Sequence, residues 1–375
     1  MTKKVIIIGG GIGGFAASVA LHRAGIEATL FERAPAFGEV GAGLSLWPNA
    51  TRILQGLGVL DAIVARGEPA THFNLLQPNG TLIAAIPMGG FSTPSVCLHR
   101  ADLHAVLVAA LPAGSLETNR SLEAFLDGPP GVIAQFAGGL KVEADGLVGA
   151  DGIRSVVRGQ LHGPKDPVYR GYVIWRGIAP VPRGGVRGHL MEYWGRGQRF
   201  GLMPIGQGRM CWYATRNAPP GEPEADRKET VERLFQGWHP SILDLIAATD
   251  PGAILRNEAR DRPPLKAWGR GNVTLLGDAA HPITPNVGQG ACLAIEDAAV
   301  LARCLRSAAN VAEGFRSYEA VRRRRTAQIA ARARRIGMIG QWENPVLVGL
   351  RNWAARLVIS RFASQQLNAM YAYEA

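Results

Sequence analysis

A glycine turn, Gly9-Gly10-Gly11-Ile12-Gly13-Gly14, constrains this chain more than any other stretch of it. It follows the apolar run Val5 to Ile8, whose length and continuity suit a parallel strand covered on both faces. The Ala-rich residues 15–24 are helix-forming, and Gly25 supplies a stop. Ala28 to Phe31 reads as a second strand, with Glu32 at its end, eighteen residues beyond Gly14. Together these segments make a βαβ unit. Its glycines permit a tight turn and close backbone approach to a pyrophosphate, and the helix N-terminus offers that group free N–H donors and a positive dipole end. A carboxylate at the second strand's end accepts hydrogen bonds from ribose hydroxyls. The spacing predicts a dinucleotide held by Gly9, Gly11, Gly14 and Glu32; Gly13 lies in the same turn and Arg33 follows the acid. It does not separate FAD from NAD.

Further along, residues 49–66 show helical spacing, 70–98 short strands broken by Pro-Asn-Gly and Gly-Gly, and Arg100 to Leu111 a helix. Asp127 to Gly131 marks a turn between two strands, the second reaching Val148. Residues 168–215, rich in Tyr, Trp, Val and Met with Gly interruptions, read as antiparallel strands. Residues 229–248 read as a helix, Val273 to Leu276 as a buried strand, and the remainder as helices.

Two more glycine–acid segments stand at strand ends. One is Gly149-Ala150-Asp151-Gly152; the other runs Leu276-Gly277-Asp278-Ala279-Ala280-His281-Pro282 and on through Pro285-Asn286-Val287-Gly288-Gln289-Gly290. With the glycine turn and its Glu32-Arg33 as one element and Arg100 as another, they give four ordered elements. In these elements the chain, from Val5 to about Ile336, resembles the single-component FAD aromatic hydroxylases, the p-hydroxybenzoate-hydroxylase-like family. The resemblance implies an α/β fold: a GR2-type, Rossmann-like FAD-binding domain with an inserted antiparallel substrate sheet and C-terminal helices. The expected bounds are 1–70 with 98–165 and 265–335 for FAD binding, 71–97 with 166–264 for the sheet domain, and 336–375 for the extension.

The same resemblance assigns roles. Asp278 hydrogen-bonds the ribityl chain, and Arg100 and Asp151-Gly152 meet the pyrophosphate. Pro285, Gly288, Gln289 and Gly290 bring backbone N–H groups to the flavin N1/C2 edge, where negative charge collects on reduction. Gly41-Ala42-Gly43-Leu44-Ser45 passes the flavin with Ser45 in contact, and Leu122 passes the adenine through its backbone. His281 is expected in a hydrogen-bonded structural role rather than as a base. The implied reaction takes NAD(P)H and O₂, and a hydroperoxide at flavin C4a hydroxylates or epoxidises an aromatic or polyene substrate. No second GxGxxG is present for a nicotinamide cofactor, which suits this family.

Candidates for the substrate chamber are Trp175, Arg176, Tyr193, Trp194, Arg199, Met203 and Trp212. Residues two apart in a strand share a face, so these cannot all point inward. Trp194 to Pro204 resembles the branch of urate hydroxylases, quinolone hydroxylases and zeaxanthin epoxidases. That likeness makes Arg199 the catalytic candidate: it either binds an anionic or phenolate oxygen bidentately, without acting as a base, or serves structurally. The tyrosine that urate hydroxylases pair with it is replaced by Cys211, which argues against urate as substrate.

Composition narrows the rest. Four cysteines far apart form no ligand spacing, so reduced thiols, no metal and a cytoplasmic setting are expected. No apolar run approaches ~18 residues, so no integral membrane segment is expected. Residues 301–375 hold thirteen Arg and four Glu, a net of +9 out of +11. Such a tail could meet nucleic acid or an anionic membrane surface, yet no zinc-finger, RNP or KH signature accompanies it. A solvated helix face is expected, with no nucleic-acid partner. The apolar, Arg-bearing stretch 345–362 is expected to pack on the core or in a dimer contact, with a membrane-surface helix or a lid for a lipophilic substrate as the alternative, the chain being a monomer or homodimer. A reductase or dehydrogenase of the same fold is the alternative activity, and a basic binding protein the distant one.

Overall fold

The computed structural model describes the backbone of residues 2–37, 42–182 and 187–375, and their side chains except over 358–369. Gly41 of the expected flavin-passing segment lies outside the described residues. Strand Lys4–Ile8, helix Ile12–Arg23 and strand Glu27–Phe31 form the βαβ unit that the sequence predicts. They enter a five-stranded parallel sheet ordered Val273–Leu275, Gly146–Gly149, Lys4–Ile8, Glu27–Phe31, Leu116–Glu117. Val5 to Ile8 are all buried, as an apolar run without alternation requires.

A second sheet of seven strands follows the order Leu255–Asp261, Val168–Pro180, Arg209–Asn217, Gln198–Pro204, His189–Trp194, His72–Leu76, Leu82–Pro87. Its pairs are antiparallel except His189–Trp194 with His72–Leu76. Two glycines let large rings lie flat on opposite faces of this sheet. A Cβ at Gly177 would stand 2.5 Å from the Trp212 ring, and one at Gly201 would stand 2.2 Å from the Tyr213 ring. A small sheet, Gly43–Leu46, Ser95–His99 and Glu68–Ala70, joins the two layers. There Gly43 N–H donates to Cys211 Sγ at 3.1 Å and Ser45 Oγ to Met203 Sδ at 3.4 Å.

Two expected helices are each split. Residues 49–66 form Pro48–Gly56 and Leu60–Val64, because Gly58 takes φ +64° between them. Residues 229–248 form Arg227–Leu234 and Pro240–Ala247, broken by Gly237 at φ +79° and by Pro240. Helices Gly290–Ser307 and Val311–Gly340 follow, and helix Pro345–Tyr371 ends the fold. No helix among the described residues is long and apolar enough to cross a membrane.

Candidate active site

Four sequence-distant segments meet at the carboxyl ends of four adjacent parallel strands. Gly9 to Gly14 follows Lys4–Ile8, and Glu32 follows Glu27–Phe31; Gly149 to Gly152 closes Gly146–Gly149, and Gly277-Asp278 follows Val273–Leu275. Backbone bonds stitch them together: Ala150 N–H to Ile8 C=O at 2.8 Å and Leu276 N–H to Gly149 C=O at 2.9 Å. Ligands of open α/β sheets bind at this edge.

The glycines divide the work. A Cβ at Gly9 would meet Ala150 O at 2.6 Å, and one at Gly14 would meet Gly9 O at 2.0 Å, so both keep the turn closed. One at Gly13 would meet Leu276 at 2.7 Å, so its bareness serves packing of helix 12–23 on the strand-end loop. At Gly11, Gly152 and Gly290 nothing lies within 4 Å of the Cβ position. These three open onto free space. Glu32 braces the turn: its Oε2 accepts from Gly10 N–H at 2.6 Å and its Oε1 from Ala34 N–H at 2.8 Å. Arg33 beside it is exposed.

Helices Ile12–Arg23 and Gly290–Ser307 both begin without a side-chain cap and without an acid in the first turn, leaving their N-terminal N–H groups for an acceptor. Asp151 Oδ2 accepts from Val156 N–H at 2.7 Å in the first turn of helix Val156–His162, whose N-cap is Ser155, while Asp151 Oδ1 is buried without a partner among the described residues. Burial pushes its carboxyl up, against the hydrogen bonds from Ser155, Val157 and Val156. Gln289 Oε1 accepts from Asn49 Nδ2 at 3.0 Å, and its Nε2 is buried without a partner among the described residues. Asp278 is the exposed residue in the buried run 276–282, open to the cleft and hemmed by protein elsewhere. That crowding raises its pKa, with His281 and Arg100 pulling the other way, so exposed Arg100 lies within electrostatic reach of it. Leu122 is buried at the head of strand Leu122–Gly128. Orphaned polar atoms, bare glycines and uncapped helix starts fit a long, polar, anionic ligand.

Over this edge lies one face of the seven-stranded sheet. Registered pairs place Arg176, Tyr213 and Gly201 on one rung, and Met203 beside Cys211 and Ile178 on the next. The structure brings Arg176, Arg199 and Met203 to this face and does not bring Trp175, Tyr193 or Trp212. Those three are buried on the opposite face against helices 227–234 and 240–247. Trp175 Nε1 donates to Glu224 and Trp212 Nε1 to Thr249 at 2.8 Å, so both indoles are satisfied there. Strand alternation decides this.

Arg199 is 2% exposed and fully engaged: Nε to Gln341 Oε1 at 2.9 Å, Nη1 to Glu192 Oε1 at 3.3 Å, Nη2 to Asn286 Oδ1 at 2.7 Å. Its guanidinium carbon sits 5.8 Å from the Tyr172 ring centroid. Tyr213 belongs to the same cluster; burial pushes its phenol well above the ordinary value, and Glu192 adds to that. Arg176 differs. It is half-buried, donates to Asn257 Oδ1 at 3.1 Å, and makes no ion pair among the described residues.

The segment from Gly277 to Gly290 is held from beneath at both ends. Asp297 accepts from Gly277 N–H at 3.0 Å, meets His281 Nε2 at 2.6 Å and accepts from Arg322 Nε at 2.6 Å, all buried. His281 thus belongs to a satisfied internal network. Trp47 Nε1 donates to Gly288 C=O at 2.9 Å, and its ring stacks on Tyr371 at 5.4 Å and 15°.

A family model described as an FAD binding domain matches residues 2–333. The chain belongs to the FAD-binding-domain family. It is 44% identical over 363 residues to an aurachin C monooxygenase/isomerase of Stigmatella aurantiaca, covering 95% of this chain and 94% of that one. It is 34% identical over 361 residues to a 6-hydroxynicotinate 3-monooxygenase of Pseudomonas fluorescens, covering 91% and 92%. Among solved structures, HpxO of Klebsiella pneumoniae complexed with FAD and uric acid superposes with a TM-score of 0.90 at 29% identity, over 99% and 96% of the two chains. This FAD-binding-domain protein is therefore an enzyme of the FAD-dependent monooxygenase class.

Glu192, Asn286 and Gln341 escaped the sequence as partners of Arg199, because they come from three separate elements. Tyr213 was within reach of strand alternation, two residues beyond Cys211 on the same face. Trp47 and Tyr371 meet across 324 residues, and no local pattern signals that pairing.

Proposed function

We propose that this enzyme uses NAD(P)H and O₂ to add one oxygen atom to an aromatic or polyene small molecule bound between FAD and the seven-stranded sheet. The observation that carries the reading is the convergence of Gly9–Gly14, Glu32, Asp151-Gly152 and Gly277-Asp278 on four adjacent strand ends beneath that sheet. Glu32, already braced by two N–H groups, has acceptor capacity left for ribose hydroxyls. Gly11 and the uncapped start of helix 12–23 meet the pyrophosphate, with Arg33 and Arg100 supplying positive charge near it. Leu122 borders the adenine end. Asp151 Oδ1 and Gly152 face the cofactor's middle, and Asp278 accepts from its ribityl hydroxyls. Pro285 turns the chain so that Gly288, Gln289 and Gly290 offer donors to the flavin's N1/C2 edge, and Ser45 passes its other side. When bound, FAD supplies hydride acceptance from NAD(P)H and activation of O₂.

The chain's own residues position the substrate. Met203 and Cys211 give the chamber an apolar wall, and Arg176 is the cation left to meet a phenolate or other anionic oxygen. Arg199 is a positioning residue, its fork taken up by Gln341, Glu192 and Asn286. The test is to add hydroxylated and quinolone-type aromatics to the yellow protein and follow NAD(P)H oxidation, with products identified by mass. Stimulated oxidation with a hydroxylated product supports the reading. Oxidation that yields only peroxide with every compound, or reduction without oxygen uptake, refutes it in favour of a reductase.

A further inference from the structure

Helix Pro345–Tyr371 is two-sided in a way that its packing leaves half unexplained. Its inner side is docked: Arg351 is buried, gives Nη2 to Gly195 C=O at 3.0 Å and Nη1 to Gly340 C=O at 3.2 Å, and lies 5.0 Å from the Trp194 ring. Ala355 packs there against the cluster of Leu75, Ile83, Ala84 and Trp194. The outer side carries Val346, Leu350, Trp353 and Leu357, exposed at 76%, 55%, 61% and 52%. Their spacing of four, three and four residues puts them on one stripe of the helix. Met338, exposed at 68%, stands in the last turn of the preceding helix, eight residues before the stripe begins. An expectation of core packing holds for one side only.

A contiguous apolar stripe left in water marks an interaction surface. Charge chooses the partner. This helix holds no acid, its Arg351 is taken up on the inner side, and exposed Arg324 and Arg335 stand on the helix before it. Residues 301–375 carry +9 of the chain's +11. Two copies meeting stripe to stripe would bring like charges together, whereas an anionic lipid surface is complementary to a basic helix bearing Trp, Leu and Val. We infer that helix Pro345–Tyr371 seats the enzyme on an anionic membrane surface, lying in the interface through Val346, Leu350, Trp353 and Leu357 without spanning it. Its inner side walls the sheet face that looks onto the active site. Access of a lipid-dissolved substrate by that route rests on the function proposed above; the docking does not.

The experiment is co-sedimentation of the FAD-loaded full chain with vesicles of phosphatidylcholine, plain or with roughly a third phosphatidylglycerol. The bound fraction is expected to rise about tenfold with the anionic lipid and to fall with added salt. Leu350→Ser with Trp353→Ser, both more than half exposed, should abolish binding while flavin content and melting temperature stay unchanged. Binding that is equal for the double variant, or absent for the parent chain, overturns the inference. So does a homodimer in solution that the same double variant splits. A colourless parent chain would instead count against the FAD reading and leave the vesicle result to stand by itself.

Discussion

Arg199 donates through Nη2 to Asn286 Oδ1 at 2.7 Å, tying the strand Gln198–Pro204 to the loop that leads into Gly288–Gly290. The same guanidinium holds Gln341, at the end of the longest helix, and Glu192 on the neighbouring strand. A single buried fork therefore ties the substrate sheet to the loop and to the end of helix Val311–Gly340. Arg199→Lys cannot reproduce three divergent bonds. It should lower stability by about 2–4 kcal/mol, since a buried charged partner is left behind. Turnover should fall tenfold or more while FAD affinity changes less than about threefold. Unaltered melting and turnover in this variant would show that the fork positions nothing.

Gly11 and Gly14 stand three residues apart in one turn and separate ligand from fold. A methyl at position 11 meets no atom within 4 Å, and one at position 14 lands 2.0 Å from Gly9 O. Gly11→Ala should leave the apoprotein's melting temperature in place and weaken FAD at least about tenfold, by blocking backbone approach to the pyrophosphate. Gly14→Ala should destabilise the apoprotein itself, by roughly 1–3 kcal/mol. Titrating FAD into both apoproteins checks the contrast; tight binding by Gly11→Ala would place the pyrophosphate elsewhere.

Asp278 is held above the ordinary carboxylate range by the protein crowding it, against the pull of His281 and Arg100. A carboxyl whose folded value is raised opposes folding above that value, and the penalty fades as pH falls toward the unfolded value of about 3.9. Asp278→Asn should thus make the apoprotein more stable near neutral pH, with the gain shrinking toward pH ~4. FAD affinity should drop in the same variant, by about tenfold, as an ionised acceptor for the ribityl hydroxyls is lost. A variant less stable than the parent at neutral pH would refute this account of the acid.

Asp297 behaves oppositely. Burial alone would raise it, but His281 and Arg322 override burial and hold it below the ordinary value. Its stabilisation is present above about pH 4 and is lost as pH falls further, through the folded value. Asp297→Asn removes one of the two buried carboxylates paired with Arg322, leaving Glu296 alone against it, and should cost about 3–5 kcal/mol. The gap to the parent chain, measured by denaturant melts, should stay level from neutral pH to pH ~5 and close below pH ~4. A gap that persists at low pH would mean that the loss is one of shape rather than charge.

The nucleotide half of the fold was legible because its signals are local. A strand, a bare turn, a helix start and an acid must follow one another closely to grip a pyrophosphate, and Gly9 to Glu32 does so in one stretch. Asp151-Gly152 and Gly277-Asp278 were legible as strand ends, although only the sheet order shows that they are neighbours. The substrate half was read less well. Trp175 and Trp212 were attractive as large aromatics, but alternation turns them to the far face, where Glu224 and Thr249 satisfy their N–H groups. What Arg199 touches depends on Asn286 and Gln341, brought in over 87 and 142 residues, and no periodicity encodes such distances. The helix splits at Gly58 and Gly237 follow from left-handed glycines that apolar spacing alone passes over.

The most direct test of the monooxygenase assignment is to supply the FAD-loaded enzyme with NAD(P)H and isotopically heavy dioxygen, together with an aromatic that stimulates NAD(P)H oxidation, and to weigh the product. The account predicts one heavy oxygen atom in the product and the other in water. A product whose new oxygen comes from solvent, or full recovery of the heavy label as hydrogen peroxide, would contradict it.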